Sequence, residues 1–228
     1  MGNIRGGLLG MIGDNCTSVM GAAGETCLKI SSIKEHLVMA DGPAGLRLAK
    51  ECIKTTKGDL YKISTDPLWA ELNSYVPKVL TMLIDGKKNR LRKGEIYYQY
   101  TTSIPVASAL ANSFNDEVIY KCGTIVKEEM ELFNVDVWLA PAMNIIRNPL
   151  CGRNFEYYSE DPYLTSRCAI SIIKGVQDNS KKKVCIKHFA CNNQETNRTH
   201  SNSVVDIRTL REIYLSAYEK VIKYVSPF

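Results

Sequence analysis

The chain has 228 residues, of which 45% are hydrophobic and 23% charged, and its formal net charge is +5. That balance excludes a disordered chain and leaves room for one large domain or two small ones. The charge is modest and no base-reading or aromatic-basic motif accompanies it, so a nucleic acid partner is not expected.

The first stretch, MGNIRGGLLGMIGDN, holds a short apolar run broken by glycines and lacks the ordered regions of a signal peptide. No window approaches the roughly 20 apolar residues of a membrane span. A cytoplasmic location and no membrane partner are therefore expected. Asn15-Cys16-Thr17 and Asn197-Arg198-Thr199 have the spacing of glycosylation sites, which matters only in a secreted protein. Gly21–Gly24 (GAAG) is too short for a phosphate loop and has no lysine.

His36–Ala40 (HLVMA) reads as a short strand running into a polar loop, Asp41–Gly45 (DGPAG). Residues 50–100 read as an inserted excursion with weak helices, a helix-like patch at Trp69–Ile84 and an exposed charged stretch at Gly86–Glu95. Asn115 is placed to cap an amphipathic helix reaching about Phe133, with Asp116 and Glu117 suiting its positive end. Val135–Ala140 (VDVWLA) is a buried strand candidate, followed by Pro141 and a long loop. Asp161-Pro162 opens a helix to about Gln177, with proline at the favoured first position. The basic run Lys181–Lys183 follows Asp178-Asn179-Ser180 and reads as a solvated turn. Val184–Phe189 is the next strand, and Asp206 opens a last helix to about Val225.

Eight cysteines are scattered through apolar segments, with no CxxC pair, and read as reduced, buried thiols. Cys185, His188 and Cys191 match no zinc spacing, so no metal is expected there.

Strands alternating with helices argue for parallel βα units. Polar residues gather after each strand, at the edge where both βα barrels and open parallel sheets build their sites. Three loops stand out: Met39–Arg47 (MADGPAGLR), Arg147–Pro162 (RNPLCGRNFEYYSEDP) and Lys187–Arg198 (KHFACNNQETNR). Together they offer carboxylates, cations, amides and aromatic rings, a lining that suits a neutral polyhydroxylated ligand. Each residue also has a plain structural reading. Asp41 could cap the following turn, Arg153 could pair with Glu156 or Asp161, and one of Lys187 and His188 could be a strut. Asn193 and Glu195 read as loop supports, and Cys151 and Cys191 as packing.

These loops resemble glycoside hydrolase family 3, the β-glucosidase and β-xylosidase type. GMIGDNCTSVMGAAGETC, MADGPAGLR, LAPAMNIIRNPLCGRNFEYYSEDP, IKHFACNNQETNR and RTLREIYLSAYE follow one another in the order of that family. The resemblance implies an α/β fold, a partial (β/α)8 TIM-type barrel truncated before its nucleophile strand, with residues 1–228 its N-terminal portion and a second α/β domain absent. It implies retaining hydrolysis of terminal β-D-glucosyl residues, a small carbohydrate substrate, and neither a metal nor an organic cofactor. Asp41, Arg153, Lys187 and His188 are then the residues that grip sugar hydroxyls, and Glu156 orients Arg153. The family nucleophile lies in a Ser-Asp-Trp type motif and the acid/base glutamate in the following domain. Neither is found here, so the chain alone is expected to be inactive. The competing reading is a non-catalytic, truncated sugar-binding remnant; a phosphate-binding βα protein fits poorly. Ile146 stands where family members often have histidine, and KHFACNNQE differs from the KHFPGHGDT of the N-acetylglucosaminidase branch.

Overall fold

The computed structural model describes residues 16, 18–26, 36–56, 58, 60–62, 94–198 and 200–228. In chain order the elements are β1 (Gly24–Glu25), β2 (Val38–Ala40), β3 (Glu51–Thr55), β4 (Leu60–Lys62), β5 (Gly94–Tyr98), α1 (Ala107–Asn112), α2 (Asp116–Leu132), β6 (Val137–Trp138), a 3₁₀ turn (Asn154–Glu156), α3 (Pro162–Gln177), β7 (Lys183–Val184), α4 (Ile207–Thr209), a π turn (Leu210–Tyr214) and α5 (Ser216–Val225). The chain divides into two compact units, Met1–His36 with Leu48–Thr101 and Leu37–Arg47 with Thr102–Phe228.

In the first unit β3 lies between β4 and β5, antiparallel to both, with Ile53 opposite Tyr61 and Ile96. The excursion is therefore β structure where it is described, not the weak helices expected; the Trp69–Ile84 patch lies outside the described residues. Cys52, the second residue of β3, is fully buried, and Gln99, just after β5, donates to the carbonyls of Met20 and Ala49 at 3.0 and 2.9 Å. Of the charged stretch, Gly94 and Glu95 are described and exposed.

In the second unit β2, β6 and β7 run parallel, pairing Ala40 with Trp138 and Trp138 with Val184. All three of those side chains are fully buried. The strands are shorter than the apolar runs suggest: β6 covers two residues of VDVWLA, and β7 ends at Val184. Pro141 supplies one reason, since it has no N–H to give to a ladder. The chain still tracks its neighbour as far as Lys187, whose N–H donates to Pro141 O at 3.1 Å and whose carbonyl accepts from Met143 N at 2.7 Å. The basic run is only partly a solvated turn. Lys181 is exposed, but Lys182 folds in towards Asp136 at 3.4 Å and Lys183 opens β7.

Helices cover this sheet. Asn115 Oδ1 accepts from Glu117 N and Val118 N, capping α2, and Asp161 accepts from Tyr163 N and Leu164 N, capping α3. On α2 the buried positions Ile119, Cys122, Gly123, Val126 and Met130 form one stripe at helical spacing. Gly123 and Gly175 bring the two helices into backbone contact. A Cβ on Gly175 would lie 2.2 Å from Tyr120 O, and one on Gly123 would lie 2.3 Å from Ile172 O. The last helix is not continuous as expected: the π turn interrupts it, with Leu215 N reaching back to Leu210 O. Among the described residues this unit is an open parallel sheet with helices, and no closed barrel forms.

Candidate active site

Three loops follow the three parallel strands, and each carries charge to the same sheet edge. Beyond β2 the chain turns at Asp41-Gly42-Pro43-Ala44-Gly45. Gly42 and Gly45 have φ values of 116° and 117°, which side-chain-bearing residues rarely adopt. A Cβ on Gly42 would lie 2.0 Å from Gly45 O, so the turn closes only with glycine. Trp138 lies beneath, donating its indole N–H to Gly42 O at 2.9 Å. The turn fixes Asp41, whose carboxylate accepts from Lys187 and, at 2.9 Å, from Arg47. Asp41 and Lys187 are both mostly buried; Arg47 is 58% exposed. Burial alone would raise the Asp41 pKa, but the hydrogen bond and charge of Lys187, with the charge of Arg47, hold it below the usual aspartate value.

Beyond β6 the loop reaches Asn144, which is 2% exposed. Its amide clamps His188 from both sides: Nδ2 donates to His188 O at 2.9 Å, and Oδ1 accepts from His188 N at 2.8 Å. Tyr218 of α5 also donates to His188 O at 2.9 Å. The peptide bonds Lys187–His188 and Phe189–Ala190 are cis. Further along the same loop, Arg153 Nε donates to Glu156, which is 3% exposed, and Arg153 Nη1 lies 3.9 Å from Glu195. Burial lowers the Arg153 pKa, yet the carboxylate of Glu156 more than reverses this.

Beyond β7, Lys187 and His188 diverge. Lys187 meets Asp41, while the His188 ring packs edge-on to Tyr157, with Nδ1 3.3 Å from the phenolic oxygen. Burial first, then the charges of Arg153, Lys187 and Arg198, pushes the His188 pKa down to about 4. The imidazole is therefore neutral at pH 7. Glu195 is held between Asn192 Nδ2 at 2.9 Å and Arg198 at 3.1 Å.

Asp41 and Lys187 thus touch; Arg153 and His188 join them through the electrostatic reach of the same cluster. Asp41 accepts from two cations, which exceeds the role of a turn cap. Arg153 pairs with Glu156 and not with Asp161, which is spent on capping α3. Asn193 supports its loop, donating to Ile145 O. Cys151 is buried, and Cys191 is half-buried. Arg47, Asn144, Tyr157 and Asn192 were not singled out from sequence. Arg47 was within reach, as the last residue of MADGPAGLR; the others show themselves only through hydrogen bonds across the fold. A separate cleft of about 420 Å³ is lined by Arg147, Cys191, Asn193, Gln194 and Tyr214 among others, and none of the four expected sugar-binding residues lines it.

The profile of the Glycosyl hydrolase family 3 N terminal domain matches residues 82–226, more than half of the chain. The chain belongs to glycosyl hydrolase family 3. Thermostable beta-glucosidase B of Acetivibrio thermocellus is 39% identical over 192 residues, covering 84% of this chain and 20% of that protein. An exo-alpha-(1->6)-L-arabinopyranosidase of Bifidobacterium longum is 46% identical over 127 residues, covering 56% and 17%. Beta-glucosidase 3B of Thermotoga neapolitana, solved in complex with alpha-D-glucose, superposes with a TM-score of 0.67 at 41% identity, covering 92% of this chain and 24% of that one. The chain therefore spans about a quarter or less of the length of these family members. The open sheet described above corresponds to the N-terminal region of the family's structures. No described helix is long and apolar enough to cross a membrane.

Proposed function

We propose that these 228 residues supply the sugar-binding loops of a retaining β-glucosidase-like hydrolase that acts on terminal β-D-glucosyl residues. In this reading they are the first βα units of a (β/α)8 barrel, carrying the excursion at residues 50–100. Asp41, Arg153, Lys187 and His188 hold the hydroxyls of one ring. The single observation that carries the reading is the cluster itself: an acceptor carboxylate, cations and a neutral imidazole gathered at one sheet edge, the donor and acceptor mix that a polyhydroxylated ring requires.

The carboxylates in this cluster also indicate what the loops do not do. Retaining hydrolysis needs a nucleophilic carboxylate and a separate carboxyl acid about 5 Å apart on either side of the bond. Asp41 is engaged by two cations, and Glu156 and Glu195 are engaged by arginines. The nucleophile and the acid/base are therefore assigned to segments outside these residues, and Glu156 to orienting Arg153.

The test is a thermal unfolding series in increasing glucose together with an aryl β-glucoside assay. Binding to the folded state raises the unfolding temperature with ligand concentration. We expect that rise, and no release of the aryl group. Turnover by the 228-residue chain would overturn the assignment of the nucleophile. A melting temperature insensitive to glucose would count against the sugar-binding reading, whereas binding without turnover in any longer form of the protein would favour the non-catalytic remnant.

A further inference from the structure

The hydroxyl of Tyr157 has three polar neighbours. Asn192 Nδ2 lies at 3.0 Å, Asn192 O at 3.1 Å and His188 Nδ1 at 3.3 Å. Tyr157 is fully buried, so its hydroxyl must be satisfied by these neighbours. Counting protons fixes the direction of every bond. Glu195 lies 2.9 Å from Asn192 Nδ2. A carboxylate can only accept, so the Asn192 amide must turn its NH₂ towards Glu195. The same NH₂ then donates to the Tyr157 oxygen. Asn192 O is a main-chain carbonyl and can only accept, so it takes the single Tyr157 proton. The third neighbour must therefore give a proton to Tyr157.

We infer that Tyr157 is a positioning residue that fixes His188 in the Nδ1–H tautomer, leaving Nε2 as a hydrogen-bond acceptor for a ligand hydroxyl. The opposite tautomer would leave the Tyr157 hydroxyl facing one donor, Asn192 Nδ2, and two acceptors, Asn192 O and His188 Nδ1, with one proton to give, so one of the two acceptors would go without a donor. Asn144 and Tyr218 hold the N–H and carbonyl of His188, which fixes the main chain from which the ring projects towards Tyr157. Neutrality of the ring, which burial and three neighbouring cations impose, keeps Nε2 unprotonated at pH 7.

The consequence rests on the sugar-binding reading above. The family resemblance gives His188 only a grip on sugar hydroxyls, without a direction for the bond. The network makes it accept. The site then presents cationic donors from Lys187, Arg47 and Arg153, and two acceptors, Asp41 and His188 Nε2. A ring hydroxyl at His188 must bring its own proton. Fluorine, which cannot donate, is not accepted at that position.

The experiment is long-range ¹H–¹⁵N correlation NMR of the histidine rings in the 228-residue chain at pH 7. The chain has three histidines, so His188→Gln assigns the signal. The expected result is a pyrrole-type shift at Nδ1 and a pyridine-type shift at Nε2. An Nε2–H pattern for His188 in the wild type overturns the inference. In Tyr157→Phe we expect the Nε2–H tautomer to appear; an unchanged spectrum would overturn the role of Tyr157. Adding glucose should move the Nε2 signal as it gains a donor. Movement of other signals with Nε2 fixed would overturn the acceptor role. If glucose moves nothing at all, the sugar-binding reading fails and takes the acceptor role with it, while the tautomer arms still decide the Tyr157 assignment.

Discussion

The helix pair α2–α3 and the loops at the sheet edge are built on opposite principles. The helices meet through apolar stripes and a glycine-to-glycine backbone contact, where Gly123 and Gly175 admit no side chain. The loops meet through charges: Arg153 with Glu156 and Arg198 with Glu195 are local pairs, and Lys187 with Asp41 joins distant parts of the chain. The helix pair is stabilised by shape and burial, which each residue contributes almost independently. The loops are stabilised by reciprocity: removing one partner exposes the other to an environment built for two. That difference also separates their roles. A ligand can replace water around paired charges, but nothing can replace a lost backbone contact between helices.

The comparison can be broken most severely at Gly175. Gly175→Val places methyl groups where Tyr120 O already lies 2.2 Å from the first added carbon, so we expect loss of cooperative folding, read as a missing unfolding transition in circular dichroism. A second break belongs to the loops. Arg153→Ala strips the buried Glu156 of its cation and should destabilise the chain by about 3–5 kcal/mol, while Glu156→Gln should do less damage because it leaves no buried anion. Chemical denaturation of the two variants side by side checks this; equal losses would show that Glu156 is not held as an anion.

A third effect depends on pH. The folded chain holds the His188 pKa near 4, below its ordinary 6.5, so between these values only the unfolded chain takes up that proton. Stability due to this group is complete above about 6.5 and is lost as pH falls towards 4. Asp41, whose pKa is also depressed, adds a further loss on the acid side. Denaturation midpoints across this range should therefore slope downwards with acid, and His188→Gln should flatten the slope above pH 4. The smallest effect sharpens the helix side. Asn115→Ala and Asp161→Ala each remove a side-chain acceptor for two backbone N–H groups and should cost about 1 kcal/mol apiece. Because the caps lie at separate helix starts, the double variant should show the sum.

The same contrast governs how much was legible in sequence. Asn115 and Asp161-Pro162 mark their helices by local chemistry, and both helices begin and end within a residue of expectation. Residues 51–55 and 94–98 pair with one another across a long intervening stretch, so no local pattern announced their sheet, and composition suggested helices instead. The strands were overread because apolar runs such as VDVWLA continue beyond the two residues that form β6, up to Pro141, which has no N–H to give to a ladder. At the site, Asp41, Arg153, Lys187 and His188 stood out as polar residues after strands, and through the family's motifs. Which of them touch did not, since Asp41 and Lys187 are joined only by the fold. Tyr157 and Asn192 look like ordinary loop residues until their hydrogen bonds are traced.

Isothermal titration of the chain with glucose, in the wild type and in Asp41→Asn, tests the central claim most directly. The substitution keeps the size of the side chain but removes the anion that Lys187 and Arg47 share. The account predicts saturable heat in the wild type and at least a tenfold weaker binding in Asp41→Asn, with both proteins folded. Saturable binding of equal strength in the two, or none in a folded wild type, would contradict a sugar site built on these paired charges.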